Sequence, residues 1–226
     1  MLHTDLRLYD QLQQFSLFQG LSRNELLQMA GNTKFGFQKM EAGRSVVREG
    51  DVCTTLHFLI SGTLLLTTTS DDRSYRLEEH LQAPWLLQPE ALFGASTRYT
   101  SSAVTLTETH FISLSKDEVL RLLDDFLIIR LNLLNLLSTQ QQRHAHRQWR
   151  SCPPTLEERI VCFLLDHSVY PAGPKTLYIL MERLAHELND SRLDISRALN
   201  SMQRRSLLSL HRGRIVVPSL ERLLMR

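Results

Sequence analysis

The sequence predicts an α+β fold in three stretches: a jelly-roll-like β-barrel over residues 1–114, a long helix over 115–150 and a winged helix-turn-helix over 155–226. Three observations carry this reading. Short strand-like runs separated by turn residues fill the first half, as in all-β sandwiches and barrels. A run of leucines at helical spacing follows, on two stripes rather than one. The segment Leu184–Leu208 then shows two short helical patterns parted by a tight polar turn, with a hairpin pattern behind it.

The composition suits a globular chain. Of 226 residues, 42% are hydrophobic and 22% charged, enough to bury a core without suggesting disorder. The first residues, Met1 to Arg7, show no basic segment leading into an apolar run, so no secretory signal is expected. The most apolar stretch, Phe126–Leu137, is broken by Arg130, Asn132 and Asn135. It falls well short of the roughly 20 residues of a membrane span. A cytoplasmic protein with no membrane partner is expected. The three cysteines, Cys53, Cys152 and Cys162, form no CxxC pair and read as free thiols. The net charge of +2 is unevenly placed: residues 1–136 carry −4 and residues 137–226 carry +6. A basic back half suits a polyanionic partner.

The elements follow in order. Leu6, Leu8, Leu12 and Phe15 mark one face of an opening helix, and Ser22 stands three residues before Glu25, the spacing of a capping box. From Gly36 the period changes. Leu56–Ile60, Thr63–Thr69, Tyr75–Leu81, Ala103–Leu106 and His110–Leu114 read as strands, with turns at Ser61-Gly62 and Asp71-Asp72. Ser115 is a candidate N-cap, with Asp117 and Glu118 in the first turn of the long helix. One stripe of that helix carries Leu120, Leu123, Leu127, Leu131 and Leu134; the other carries Leu122, Phe126, Ile129, Leu133 and Leu136. Two stripes need two coverings, and the same helix of a second chain is the natural second one. Pro153-Pro154 closes the helix and marks a candidate hinge. Thr155 is then a candidate N-cap for a helix through Ile160, Phe163 and Leu164.

The most informative segment follows. Leu184, Ala185 and Leu188 give a short helix, Asn189-Asp190 a turn, and Ile195, Leu199 and Met202 the buried face of a second helix capped by Ser191 or Asp190. Such a second helix enters the major groove of DNA N-terminus first. Ser191, Arg192, Leu193, Ser196, Arg197 and Asn200 are the candidate base-reading positions, and Arg204, Arg205, Arg212 and Arg214 suit phosphates. Leu207 to Val217 reads as two strands about Arg212-Gly213, the wing. No nucleophile elbow, P-loop, HExxH or dinucleotide fingerprint is present, so an enzyme is not expected. His144 and His146 lie on different helix faces and make a poor metal pair.

On these residues the chain resembles the CRP/FNR family of transcription factors. The resemblance rests on Leu17–Leu26, on Arg48-Glu49-Gly50-Asp51 with Phe58–Gly62, on the position of the long helix, and on Ser191-Arg192 with Ile195-Ser196-Arg197. It implies a cyclic-nucleotide-binding-like sensor, a homodimer through the 115–150 helix, a two-fold symmetric double-stranded DNA site, RNA polymerase as a partner, and a small-molecule effector. The implied effector residues are Glu90, Ala91, Leu92, Arg98, Ser101 and Ser102. Members that bind cyclic AMP carry Gly-Glu and a later Arg there. Here Gln88-Pro89 and Ser101 fill those places, so an effector other than cyclic AMP is expected and its identity, like any cofactor, is open. Leu193 replaces a common Glu. A reading from another class, a nucleotide- or metabolite-binding module acting through protein contacts, is countered by the arginine-bearing helix and wing.

Overall fold

In the computed structural model, residues 8 and 10–224 are described. Leu6 of the expected opening helix lies outside them. Leu8, Leu12 and Phe15 of that face are buried. The chain divides into two compact units. The first comprises residues 1–64, 82–100 and 104–148, and the second comprises 65–81, 101–103 and 149–226.

In the first unit, helix α1 (Arg23–Asn32) starts from the expected capping box, Ser22 with Glu25. Strands β1 (Gly36–Met40), β2 (Ser45–Val47), β3 (Thr55–Ser61), β6 (Trp85–Leu87) and β8 (Thr109–Ser115) belong to this unit, and β1, β8, β3 and β6 form a four-stranded antiparallel sheet in that order. The sheet is open, not closed into a barrel. One face carries Leu56, Phe58, Ile112 and Leu114, all buried, with Phe15 set edge-on against Phe58, while Leu59 and Phe111 are buried on the other face. Strand β3 extends the expected Leu56–Ile60 by one residue at each end.

The expected long helix is two. Helix α2 (Lys116–Asp125) begins on Ser115 as anticipated, and helix α3 (Leu127–Gln148) begins after Phe126, whose φ of −124° and ψ of 101° leave the helical region. The break has a local cause. Asp124 and Asp125 put negative charge at the carbonyl end of α2, where the helix dipole opposes it. The side chain of Arg130 reaches back to the carbonyls of Leu123 (2.7 Å) and Asp124 (3.5 Å), satisfying groups that a continuing helix would have used. The two stripes separate as expected. Leu122, Ile129 and Leu133 are buried, while Leu120, Leu127, Leu131 and Leu134 are 43–64% exposed.

The second unit contains β4 (Thr63–Thr69, from Leu65 onward), β5 (Tyr75–Gln82), the start of β7 (Ser102–Thr105), helix α4 (Leu156–His167), strand β9 (Lys175–Ile179), helix α5 (Met181–Glu187), helix α6 (Arg192–Arg204), strands β10 (Ser209–His211) and β11 (Arg214–Val217), and helix α7 (Glu221–Leu224). Thr155 caps α4 in a second capping box, with Glu158. The wing is a three-stranded antiparallel sheet, β10-β11-β9. Strand β9 was not anticipated, because its five residues open on a lysine. The sheet does not stop at β9: β5 pairs with it antiparallel, from Tyr75 opposite Ile179 to Glu79 opposite Lys175. Alternate residues Leu77 and Glu79 on one strand and Lys175, Leu177 and Ile179 on the other point into the core.

That pairing buries an ion pair. Glu79 and Lys175 have fully buried side chains with Nζ 3.1 Å from the carboxylate. Glu79 also accepts the amides of Val169 (3.0 Å) and Tyr170 (3.3 Å), and Lys175 donates to the Ala172 carbonyl (2.8 Å). Burial pulls the lysine pKa down from its ordinary value and the adjacent carboxylate pulls it back up. At the other end of the same pairing, Tyr75 packs its ring at a tilt against Phe163, centroids 5.6 Å apart, and its hydroxyl lies 3.1 Å from His167 Nε2.

Candidate functional site

The helix-turn-helix is built from small, specific devices. The first helix, α5, presents Leu184 and Ala185 inward, both buried, and the single methyl of Ala185 lets α6 approach closely. Asn189 takes the left-handed conformation expected of it, φ 49°. The amide of Asp190 bonds the carbonyl of Ala185 at 3.0 Å. From α4, Arg159 grips the turn with one nitrogen on the carbonyl of Leu188 (3.0 Å) and another on the carboxylate of Asp190 (2.5 Å). Sequence reasoning missed Arg159, since its partners lie about 30 positions away.

Of the two candidate caps of α6, it is Ser191 whose hydroxyl accepts the amide of Asp194, at 3.1 Å. Asp194 returns the contact: its carboxylate accepts the Ser191 hydroxyl (2.6 Å) and a guanidinium nitrogen of Arg197 (3.2 Å). Those bonds, the serine's first, hold the Asp194 carboxyl below its ordinary pKa. The buried face is Ile195, Leu199 and Met202, none of it exposed. The rest of the helix surface leaves Arg192, Leu193, Arg197, Asn200 and Arg204 exposed and Ser196 half-buried. Arg192 lies 3.6 Å from Glu182 of α5, and Asn200 bonds the Ser196 carbonyl at 2.8 Å. Both arginines are about 70% exposed, so these contacts with water present are weak and readily exchanged.

The wing turns at Arg212-Gly213, where Gly213 has φ 73°, a conformation costly for a residue with a Cβ. Arg212 and Arg214 stand exposed on either side. Arg205 serves differently from Arg204: it pairs with Glu157 and bonds the Ser201 carbonyl, tying α6 to the start of α4.

The residues expected around an effector fall in both units and are described separately. In the first, Gln88 adopts a left-handed φ of 40°, the conformation a glycine would take without strain, and its side-chain oxygen accepts the amide (2.9 Å) and hydroxyl (3.0 Å) of Thr100. Pro89, Glu90, Ala91 and Leu92 form a short 3₁₀ turn in which Ala91 and Leu92 are buried and Glu90 is exposed at its edge. The crowded, poorly solvating surroundings of Glu90 raise its carboxyl above the usual range. Arg98 is exposed and donates to the Gly50 carbonyl at 2.6 Å. In the second unit, Ser101 is buried with its hydroxyl 2.7 Å from that of Thr68, and Ser102 is half-buried at the start of β7. Pro89 and Ser101, at the places where Glu and Arg are common in cyclic-AMP binders, supply neither a carboxylate nor a guanidinium.

Among the described residues no helix is long and apolar enough to cross a membrane, and no group of three or more His, Cys, Asp or Glu side chains is placed to hold a metal ion.

Comparison with known proteins gives matching results for both parts. Residues 37–126 match the cyclic nucleotide-binding domain, and residues 158–226 match the Crp-like helix-turn-helix domain. No curated protein matches the chain. Among solved structures, the catabolite activator protein of Thermus thermophilus is similar at TM-score 0.51 and 20% identity, covering 93% of this chain and 97% of its own. The sensor domain of the regulator DNR from Pseudomonas aeruginosa is similar at 0.53 and 22% identity, over 68% and 99%. A crp/fnr-family regulator from Eubacterium rectale is similar at 0.52 and 21%, over 93% and 96%. At these identities the structural likeness establishes the fold. The two family matches, in this order on one chain, with a helix-turn-helix whose cap, turn and outward arginines are all in place, establish the rest: the chain belongs to the CRP/FNR family of DNA-binding transcription regulators.

Proposed function

We propose that the chain works as a cytoplasmic homodimer, reads a two-fold symmetric DNA site, answers to an effector other than cyclic AMP and contacts RNA polymerase, without enzymatic activity. The observation that carries the DNA reading is the outward face of α6. Arg192 and Arg197, about 70% exposed and held only by exchangeable surface contacts, can reach base edges while Ile195, Leu199 and Met202 lock the helix to its core. Arg204, Arg212 and Arg214 flank that face and suit backbone phosphates.

The dimer is supported by the exposed stripe Leu120, Leu127, Leu131 and Leu134, which water covers poorly and a second copy would cover by symmetry. Two reading helices related by a two-fold axis then sit about 34 Å apart, one turn of DNA. An effector other than cyclic AMP is supported by Pro89 and the buried, hydroxyl-bonded Ser101, which offer neither carboxylate nor cation. Glu90 and Arg98 lie nearby in the sequence and are the charged groups that would substitute.

The test is fluorescence anisotropy on DNA from upstream of the protein's own gene, across a salt series, beside an Arg192→Ala/Arg197→Ala variant. Wild type should prefer a discrete fragment, with affinity falling steeply in salt as phosphate contacts release counterions. The variant should bind that fragment no better than random DNA. Equal binding of both proteins to all fragments would refute the reading.

A further inference from the structure

Leu193 occupies the middle of the reading face without a polar partner to explain it. At 100° per residue, Leu193, Arg197, Asn200 and Arg204 fall within about 60° of one another, on the side of α6 opposite Ile195, Leu199 and Met202. Leu193 is 59% exposed. It stands in the first turn, the part of such a helix that goes deepest into the groove. Its immediate neighbours divide the polar work. Arg192 and Arg197 carry long, exposed guanidinium groups. Asp194, the one carboxylate of this turn, lies about 100° round the helix from Leu193 and off that stripe, with one oxygen engaged by the Ser191 hydroxyl of the cap at 2.6 Å. No group on the stripe in the first turn is therefore placed to accept a hydrogen bond from the amino group of a cytosine. A leucine can complement only one feature of the major-groove edge, the 5-methyl group of thymine.

We propose that Leu193 is a specificity-determining residue that packs on the 5-methyl of a thymine in each half-site, so that this position of the operator is a T·A pair. The inference rests on the DNA-reading function proposed above and sharpens it. The arginines set which guanines are read, and Leu193 rejects a cytosine beside them by leaving its amino group unpaired against a hydrocarbon.

The experiment starts with selection of binding sites from a random DNA pool by the full-length protein. Each thymine of the selected site is then replaced in turn by deoxyuridine, which removes the methyl and keeps every hydrogen bond. Binding is read by anisotropy with wild type, Leu193→Ala and Leu193→Glu. Wild type should lose roughly fourfold in affinity at one symmetry-related thymine per half-site, the factor for burying one methyl group, and about sixteenfold when both are replaced. Leu193→Ala should bind the thymine and deoxyuridine sites equally. Leu193→Glu should shift the preference at that position from T·A to C·G, since a carboxylate accepts from the cytosine amino group. Leu193 is largely in solvent, so these variants should keep the wild-type unfolding midpoint. A discrete selected site with no methyl-sensitive thymine, or with the same thymine-to-deoxyuridine ratio in Leu193→Ala, overturns the role of Leu193 and leaves the DNA reading intact. If selection returns no discrete site, both fall together.

Discussion

Glu79 and Lys175 face each other across β5 and β9 with no contact with water. Two ions in such a place are costly unless every lone pair and proton is used, and here two backbone amides and one carbonyl complete the set. Removing one partner strands the other. Lys175→Met should therefore lower the unfolding free energy by about 3–5 kcal/mol, read as a drop in the urea midpoint. The double variant Glu79→Gln/Lys175→Met should recover part of that loss. A single variant as stable as wild type would mean that water reaches the pair. Neither residue is recognisable as buried from the sequence. Glu79 sits in the acidic run Glu78-Glu79 and reads as solvated surface, and Lys175 makes β9 look polar. Only the cross-strand register, which joins positions almost 100 residues apart, gives them to each other.

Elements with local causes were legible in the chain, and elements with distant causes were not. The caps Ser22, Ser115, Thr155 and Ser191 and the left-handed Asn189 act within a few residues, and all are where spacing places them. The alternating apolar runs of β3, β4, β5 and β8 are likewise self-announcing. Strand β1, Gly36–Met40, has almost no buried side chain to give it a period, and β2 and β6 are three residues each. The break at Phe126 needs the backward reach of Arg130, which no periodicity shows. For α6 the cap can be tested directly. Ser191→Ala should cost about 1 kcal/mol and speed hydrogen exchange at the Asp194 amide. The pH behaviour follows from the lowered pKa of Asp194. Its stabilisation is full above the ordinary carboxylate value of 3.8 and drains away as pH falls below it. Asp194→Asn should flatten that part of the stability-versus-pH curve, measured by thermal unfolding between about pH 2 and 5.

At the scale of the whole molecule, the dimer proposed through the leucine stripe of α2 and α3 predicts that assembly sets DNA affinity. Leu131→Asp/Leu134→Asp places charge on residues that are 48% and 55% exposed, so the fold should persist. Sedimentation should report a monomer, and affinity for a two-fold site should fall to that for a half-site. A dimer that survives both charges would place the interface elsewhere. The proposed effector residues show in the sequence only as departures from the family pattern, Pro89 and Ser101 standing where Glu and Arg are common. The run of β5 into the wing bears on how this protein can be taken apart. Pro153-Pro154 invites a cut that would free a portable DNA reader, residues 150–226. That piece would carry β9 with a bare edge, Lys175 without its carboxylate, and Phe163 and His167 without Tyr75. A transplantable reader must bring residues 65–81 along, so a graft onto another sensor has to splice a hairpin as well as a tail.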